Sequence, residues 1–156
     1  MLVYHAVLDF PCCRLGAIFC GETLTRLDFL PPDHPLRTPG DARTRRLRSQ
    51  IERYCDDAAH VFTLPFAAHG TPYQARVWAA LGDIPAGHTL TYGALAQRIG
   101  SAARAIGQAC AANPLPILIP CHRVVAASGP GGFNHAASGA PIAVKRWLLD
   151  HERPAD

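Results

Sequence analysis

The chain has 156 residues, 49% of them hydrophobic, enough to bury a core as one large domain or two small ones. Its formal charge of +3 is small but unevenly placed: residues 1–69 carry eight basic and eight acidic side chains and residues 70–156 seven and four, so contact with an anionic polymer is expected in the second part. Asp9 and Arg14 interrupt the apolar N-terminus and no cationic segment leads a hydrophobic run, which argues against a signal peptide or membrane span; six cysteines without disulfide-rich spacing fit a cytoplasmic protein with reduced thiols.

Residues 1–30 read as β structure. Val3, His5 and Val7 alternate, and two apolar runs over 15–19 and 24–29 are separated by Gly21-Glu22, the pattern of a small antiparallel meander. The Pro-rich stretch 31–35 ends it. A helix is expected over 41–59, where Leu47, Ile51, Tyr54 and Ala58 fall on one face. Arg43, Arg45, Arg46 and Arg48 read as a solvated face of that helix, given the zero net charge of this half and the nearby Asp56-Asp57 pair. Residues 62–69 read as a link to a second domain, and the expected domains are 1–66 and 67–156.

Helices dominate the second part. Pro72 suits the first turn of a helix over 73–81, and Ile84-Pro85-Ala86-Gly87 is a turn. Two short helices over 91–100 and 101–113, joined at Gly100-Ser101 with Ser101 available as an N-cap, have helix-turn-helix proportions. The second is rich in small residues: Ala102, Ala103, Ala105, Gly107, Ala109, Ala111 and Ala112. Such a thin helix suits close approach to a DNA backbone or tight packing against its neighbour, and the pattern leaves both open.

The segment Asn113-Pro114-Leu115-Pro116-Ile117-Leu118-Ile119-Pro120-Cys121-His122-Arg123-Val124-Val125 sets one cysteine in a frame of three prolines. Proline fixes φ and biases its predecessor toward extended geometry, so a stiff, non-helical approach to Cys121 is expected. Cationic neighbours and polarised N–H groups lower a thiol pKa, which makes Cys121 a candidate nucleophile. The alternative is a buried cysteine before a short strand at Val124-Val125, with His122 and Arg123 on the surface.

The whole string resembles the active-site signature of the O6-alkylguanine-DNA alkyltransferases, the methylated-DNA–protein-cysteine methyltransferases. Gly70-Thr71-Pro72-Tyr73-Gln74 with Val77-Trp78, Ile84-Pro85-Ala86-Gly87, Tyr92-Gly93-Ala94-Leu95-Ala96 and Ala103-Arg104-Ala105-Ile106-Gly107 follow the family's order. The match is strong from Gly70 to Glu152 and weak before that. It implies an α/β fold: a small N-terminal α/β domain with an antiparallel sheet, and a mainly helical C-terminal domain carrying a winged-helix-like helix-turn-helix.

The resemblance also implies roles. Cys121 matches the nucleophile and alkyl acceptor, His122 the histidine that takes the thiol proton through a water, and Glu152 the carboxylate orienting that histidine. Tyr92 matches the tyrosine that helps rotate the nucleotide out and donates a hydrogen bond to guanine. Arg104 matches the arginine that fills the gap left by the flipped base. Ala103, Ser101 and Gln74 join Arg104 and Tyr92 as expected DNA contacts. Asn113 matches the residue bracing the turn before the active-site loop; Pro120, Val124, Phe133, Ser138 and Lys145 are expected structural or pocket residues. Between Gly131-Gly132-Phe133 and Lys145 this chain is several residues longer than the family pattern.

The implied reaction is a single, irreversible transfer of an alkyl group from guanine O6 to Cys121, needing no cofactor. Its partner is double-stranded DNA containing O6-alkylguanine, with O4-alkylthymine a further candidate lesion, and the expected state is a monomer away from membranes. Cys12, Cys13, Cys20 and His34 do not reproduce the zinc ligands of some relatives, so no metal is expected. The competing reading is a lesion binder that flips alkylguanine without reacting, but such relatives lack the cysteine. A transcription regulator would need a more polar recognition helix, and a cysteine hydrolase a histidine remote in sequence.

Overall fold

The computed structural model describes residues 3–129, 131 and 140–154. The chain divides into two compact units, Met1–His69 and Gly70–Asp156.

Unit one is built on a three-stranded antiparallel meander of β1 (Ala6–Phe10), β2 (Cys13–Cys20) and β3 (Thr23–Leu30), in that spatial order. Phe10 faces Cys13 across the first turn and Cys20 faces Thr23 across the second, with a bulge at Ile18/Phe19. Leu15, Ala17 and Phe19 are buried at alternate positions of β2, and the bulge sets Leu24 and Leu27, three residues apart, opposite Phe19 and Ala17 on the same buried face. Helix α1 (Ala42–Asp56) buries Leu47, Ile51 and Tyr54. Asp41 is its N-cap rather than its first residue: Oδ1 accepts from the Thr44 N–H, while the Thr44 hydroxyl accepts from the Asp41 N–H. The helix stops at Asp56, so Ala58 lies beyond it, and Arg45, Arg46 and Arg48 are exposed as expected of a solvated face.

Residues 62–69 are more than a link. The Leu24 N–H donates to Pro65 O and the Ala67 N–H to Leu24 O, so Phe66 forms a parallel bridge with β3. Thr63 and the buried Gln50 exchange two hydrogen bonds, of 2.8 and 3.0 Å. These ties hold the segment in the first unit, which is why the division falls after His69 and not after residue 66. The Pro-rich stretch leads into a similar bridge, where Val7 and Arg37 exchange backbone hydrogen bonds.

In unit two the order is α2 (Pro72–Gly82), β4 (Leu90–Thr91), α3 (Tyr92–Ile99), α4 (Ala103–Ala111), a 3-10 turn at Cys121–Arg123, β5 (Val124–Val125) and α5 (Ala140–Glu152). Thr71 caps α2 with Gln74 in a capping box, and Pro72 takes the first turn. Helix α3 is capped by Thr91 and closed by Gly100, whose φ of +67° is the left-handed conformation open to glycine at low cost. The N-cap of α4 is Ala102, without a side-chain bond, and not Ser101. The Ser101 hydroxyl instead meets the Tyr73 hydroxyl at 2.6 Å, tying the α3–α4 connection to α2. The Trp78 indole N–H donates to Ala109 O at 2.9 Å and holds α2 to α4. Helix α4 ends at Ala111, so Asn113 stands outside it. Strands β4 and β5 pair in parallel through Leu90–Val124 and Thr91–Val125.

Candidate active site

The loop from Asn113 to Cys121 is stiff, as its prolines predict, and also strained. Ile117 is buried with φ +76°, a conformation that costs a β-branched residue on the order of 1–3 kcal/mol. Asn113 clamps the loop across that point. Its Oδ1 accepts from the Leu115 N–H and its Nδ2 donates to Ile119 O, both at 2.9 Å. Pro120, buried, caps the 3-10 turn; the Cys121 N–H donates to Ile119 O and the Arg123 N–H to Pro120 O.

With about three residues per turn, a 3-10 helix sends successive side chains in widely different directions. Cys121 and His122 are both buried, His122 completely. His122 Nε2 lies 2.8 Å from Glu152 Oε2, and Glu152, the last residue of α5, is itself buried. The Nδ1 atom of the same ring has no hydrogen-bond partner among the described protein atoms. Burial holds the His122 pKa below the ordinary histidine value, and the charges of Arg123 and Lys145 act the same way against the opposing pull of Glu152. The ring is therefore neutral at physiological pH, with one nitrogen free to accept a proton.

The expectation that cationic neighbours lower the Cys121 pKa is corrected. Burial pushes this thiol up, and the Asn113 hydrogen bond and the Lys145 charge only oppose that rise. Arg123 does not act on the sulfur, because its guanidinium is committed elsewhere. Its Nε donates to Glu152 Oε1 (2.8 Å), its Nη2 to Oε2 (3.0 Å) and its Nη1 to Ile84 O (2.6 Å). The sequence offers Arg123 two places, a cationic neighbour of the thiol or a surface residue, and the structure gives it neither, since it pairs with Glu152 and its side chain is only 13% exposed.

A second group lies close enough to Cys121 for its charge to be felt there. Lys145 is fully buried; its ammonium donates to Val124 O at 2.8 Å and to the Tyr92 hydroxyl at 3.3 Å, and lies 5.5 Å from the Tyr92 ring centroid. Burial lowers its pKa to about 8, while the thiols of Cys121 and Cys110 pull the other way. Burial likewise raises Tyr92 to about 12, keeping its hydroxyl a donor. Cys110, to which the sequence reading assigned no role, senses the same neighbourhood: burial, then the Cys121 charge, holds its thiol at about 12. Gly131, at φ +78°, packs so near Tyr92 that a Cβ there would fall 2.8 Å from Cε2, so a side chain would displace the ring.

The expected site residues thus separate. His122 and Glu152 are joined by a hydrogen bond, with Cys121 just before His122 on the same buried turn; Lys145, Tyr92 and Val124 are joined through the ammonium, and Asn113 and Pro120 belong to the loop that leads into the turn. Arg104 and Ala103 are exposed on the first turn of α4. Ser101 and Gln74 have their side chains engaged, with Tyr73 and in the α2 cap respectively. Phe133 and Ser138 lie outside the described residues. Among the described residues, no group of three or more His, Cys, Asp or Glu has the arrangement to hold a metal ion, and the six cysteines are free thiols.

Comparison with known proteins agrees with this geometry. Residues 72–154 match the family model described as 6-O-methylguanine DNA methyltransferase, DNA binding domain. The methylated-DNA–protein-cysteine methyltransferase of Mycobacterium bovis is 35% identical over 164 aligned residues, covering 99% of this chain and 97% of that protein. The Methanosarcina mazei protein of the same name is 38% identical over 96% of this chain and 97% of its own. The crystal structure of Mycobacterium tuberculosis OGT in complex with DNA superposes with a TM-score of 0.77 at 36% identity, covering 94% of this chain and 91% of that one. With one family model spanning more than half of the chain and relatives aligned along nearly all of it, the chain belongs to the 6-O-methylguanine DNA methyltransferase family.

Proposed function

We propose that this chain repairs DNA by moving an alkyl group from guanine O6 to the Sγ of Cys121. In this displacement the carbon–oxygen bond breaks as the carbon–sulfur bond forms, the guanine keeps the electron pair, and the thiol proton passes through a water to His122 Nδ1. Tyr92, held as a neutral phenol, donates to the departing guanine. The thioether product is a poor leaving group, so each molecule reacts once. The observation that carries this reading is the buried sequence of Cys121, a neutral His122 with an unoccupied Nδ1, and Glu152 at 2.8 Å from Nε2. A nucleophile, a base and an orienting carboxylate are the parts of an activated thiol.

Binding to DNA falls to α3 and α4. The outward face of α4 carries Ala103, Arg104, Gly107, Gln108 and Ala111, while Ile106 and Ala109 are buried, so apart from Arg104 and Gln108 little stands between its backbone and a duplex. Its first N–H groups lack a side-chain cap, which suits a phosphate contact. Arg104, exposed at this end, fills the space of the extruded nucleotide and offsets part of a cost of about a few kcal/mol. Among the described residues no helix is long and apolar enough to cross a membrane, and a cytoplasmic, monomeric protein fits this work.

The test is intact-protein mass and peptide mapping after incubation with a duplex holding one O6-methylguanine. A gain of one methyl on the Cys121 peptide, lost in Cys121→Ala while that variant still binds the duplex, is expected. Binding without mass gain in the wild type would move the protein to the class of non-reacting lesion binders.

A further inference from the structure

Glu152 stands where a carboxylate is hardest to keep. It is buried, and it closes the C-terminal end of α5, where the helix dipole is negative. A bidentate pairing with one side chain of the nucleophile's own turn compensates part of that cost. We propose that Arg123 is a positioning residue for alkyl transfer: by gripping both oxygens of Glu152 and the carbonyl of Ile84, it fixes His122 in the tautomer whose Nδ1 is bare and able to receive the Cys121 proton. This rests on the reading of His122 as the proton acceptor.

The geometry leads there step by step. Arg123 places Nε 2.8 Å from Oε1 and Nη2 3.0 Å from Oε2, the parallel pairing that a planar guanidinium makes with a carboxylate. Nη1, donating to Ile84 O, anchors the fork to the turn that precedes β4. A carboxylate held by two guanidinium N–H groups needs no proton of its own. Its Oε2 therefore acts as the acceptor toward His122, and the hydrogen between them belongs to Nε2. A neutral imidazole carries a single N–H, which leaves the lone pair on Nδ1, the buried atom without a protein partner among the described residues.

If Arg123 were absent, Glu152 would lose two charge-assisted hydrogen bonds in a buried site, and its affinity for a proton would rise. Once protonated, it would donate to Nε2, and the imidazole hydrogen would move to Nδ1, the wrong side for a base. Lysine does not replace the fork, because an ammonium is a point charge that cannot span both oxygens in one plane. Among the described residues, Cys121 shares this turn and Lys145 on α5 has a charge that is felt at His122. His88 lines the small cavity that Glu152 also borders.

The tautomer is read directly from the imidazole nitrogen shifts of His122 in DNA-free, 15N-histidine-labelled protein. The wild type is expected to show protonated Nε2 and unprotonated Nδ1. Arg123→Met should move the hydrogen toward Nδ1, and Arg123→Lys should give a mixture, with single-turnover methyl transfer slowed by roughly tenfold or more, a part of the 10²–10⁴ that a positioned base contributes. If Arg123→Met does not fold, Arg123→Lys carries the test. Wild-type nitrogen shifts and wild-type transfer rate in folded Arg123→Lys would overturn the proposal. A purely structural arginine would lower the melting temperature without changing the tautomer. Because the shifts are recorded without DNA, they test the clamp separately from the base role, which the transfer rate of His122→Ala tests.

Discussion

The two units bury polar groups in different ways. Among the described residues of 1–69 the buried polar side chains are Thr44 and Gln50, both uncharged and hydrogen-bonded, to Asp41 and Thr63, while the ion pairs of Arg26, Arg43 and Arg48 lie at the surface. Among the described residues of 70–156, His122, Lys145 and Glu152 are buried within one neighbourhood, together with the thiol of Cys121. Burying a charge costs several kcal/mol unless partners repay it, so a fold selected for stability alone has little reason to keep such a set. The first unit is held by apolar contact. The second gives up some of that economy to hold a thiol, a neutral base and a cation in fixed relation.

The widest separation between the units should come from a pair of variants. His122→Ala removes the proposed base, and single-turnover methyl transfer per folded molecule is expected to fall by roughly 10²–10⁴-fold. Tyr54→Ala, in the core of the first unit, should lower stability by about 3–5 kcal/mol, the usual cost of emptying a large aromatic site, and leave transfer per folded molecule near wild type. Transfer that survives in His122→Ala, or that collapses in folded Tyr54→Ala, would break the division of labour.

The second variant test concerns pH. Lys145, with its pKa lowered to about 8, is an ammonium below that pH and neutral above it. Its charge opposes the burial that raises the Cys121 pKa, so loss of the charge makes the thiolate harder to form. The transfer rate should therefore fall as pH rises through about 8. On the acid side the His122 pKa lies below the ordinary histidine value, so the base stays neutral and the rate holds through the usual histidine range. In Lys145→Met the wild-type alkaline fall should vanish from a slower profile. An alkaline fall that remains in that variant would assign it to another group.

Legibility followed the range of the interactions. The meander and α1 show in the sequence because their apolar residues repeat with the period of their own backbone; the capping boxes at Thr71 and Asp41 are equally local but form no part of that reading. Residues 62–69 misled because their ties to Leu24 are backbone hydrogen bonds, which leave no side-chain pattern. Ser101 misled because Tyr73, far off in sequence, competes for its hydroxyl. At the site, the family motifs marked Cys121, His122 and Glu152. They did not reveal that Arg123 faces Glu152 across 29 positions, nor that the thiol is buried. Charge next to a cysteine in sequence says little about charge next to it in space.

The smallest effect is expected where the first unit looks most ionic. Arg48 and Glu52 stand one helical turn apart on α1 at 3.7 Å, with side chains 45% and 68% exposed. Two long side chains in water lose rotamer freedom when they pair, and salt screens what remains, so an exposed pair of this kind contributes under about 0.5 kcal/mol. Arg48→Ala should leave the melting temperature nearly unchanged and the transfer rate unaltered at low and high salt. The same reasoning treats the basic face of α1 as solvated and not as a second DNA surface. Duplex affinity measured across a salt series would detect an error: a lower affinity and a shallower salt dependence in Arg48→Ala would mean that this arginine meets phosphate. An unchanged slope keeps nucleic-acid contact in the second unit, where the excess of positive charge lies.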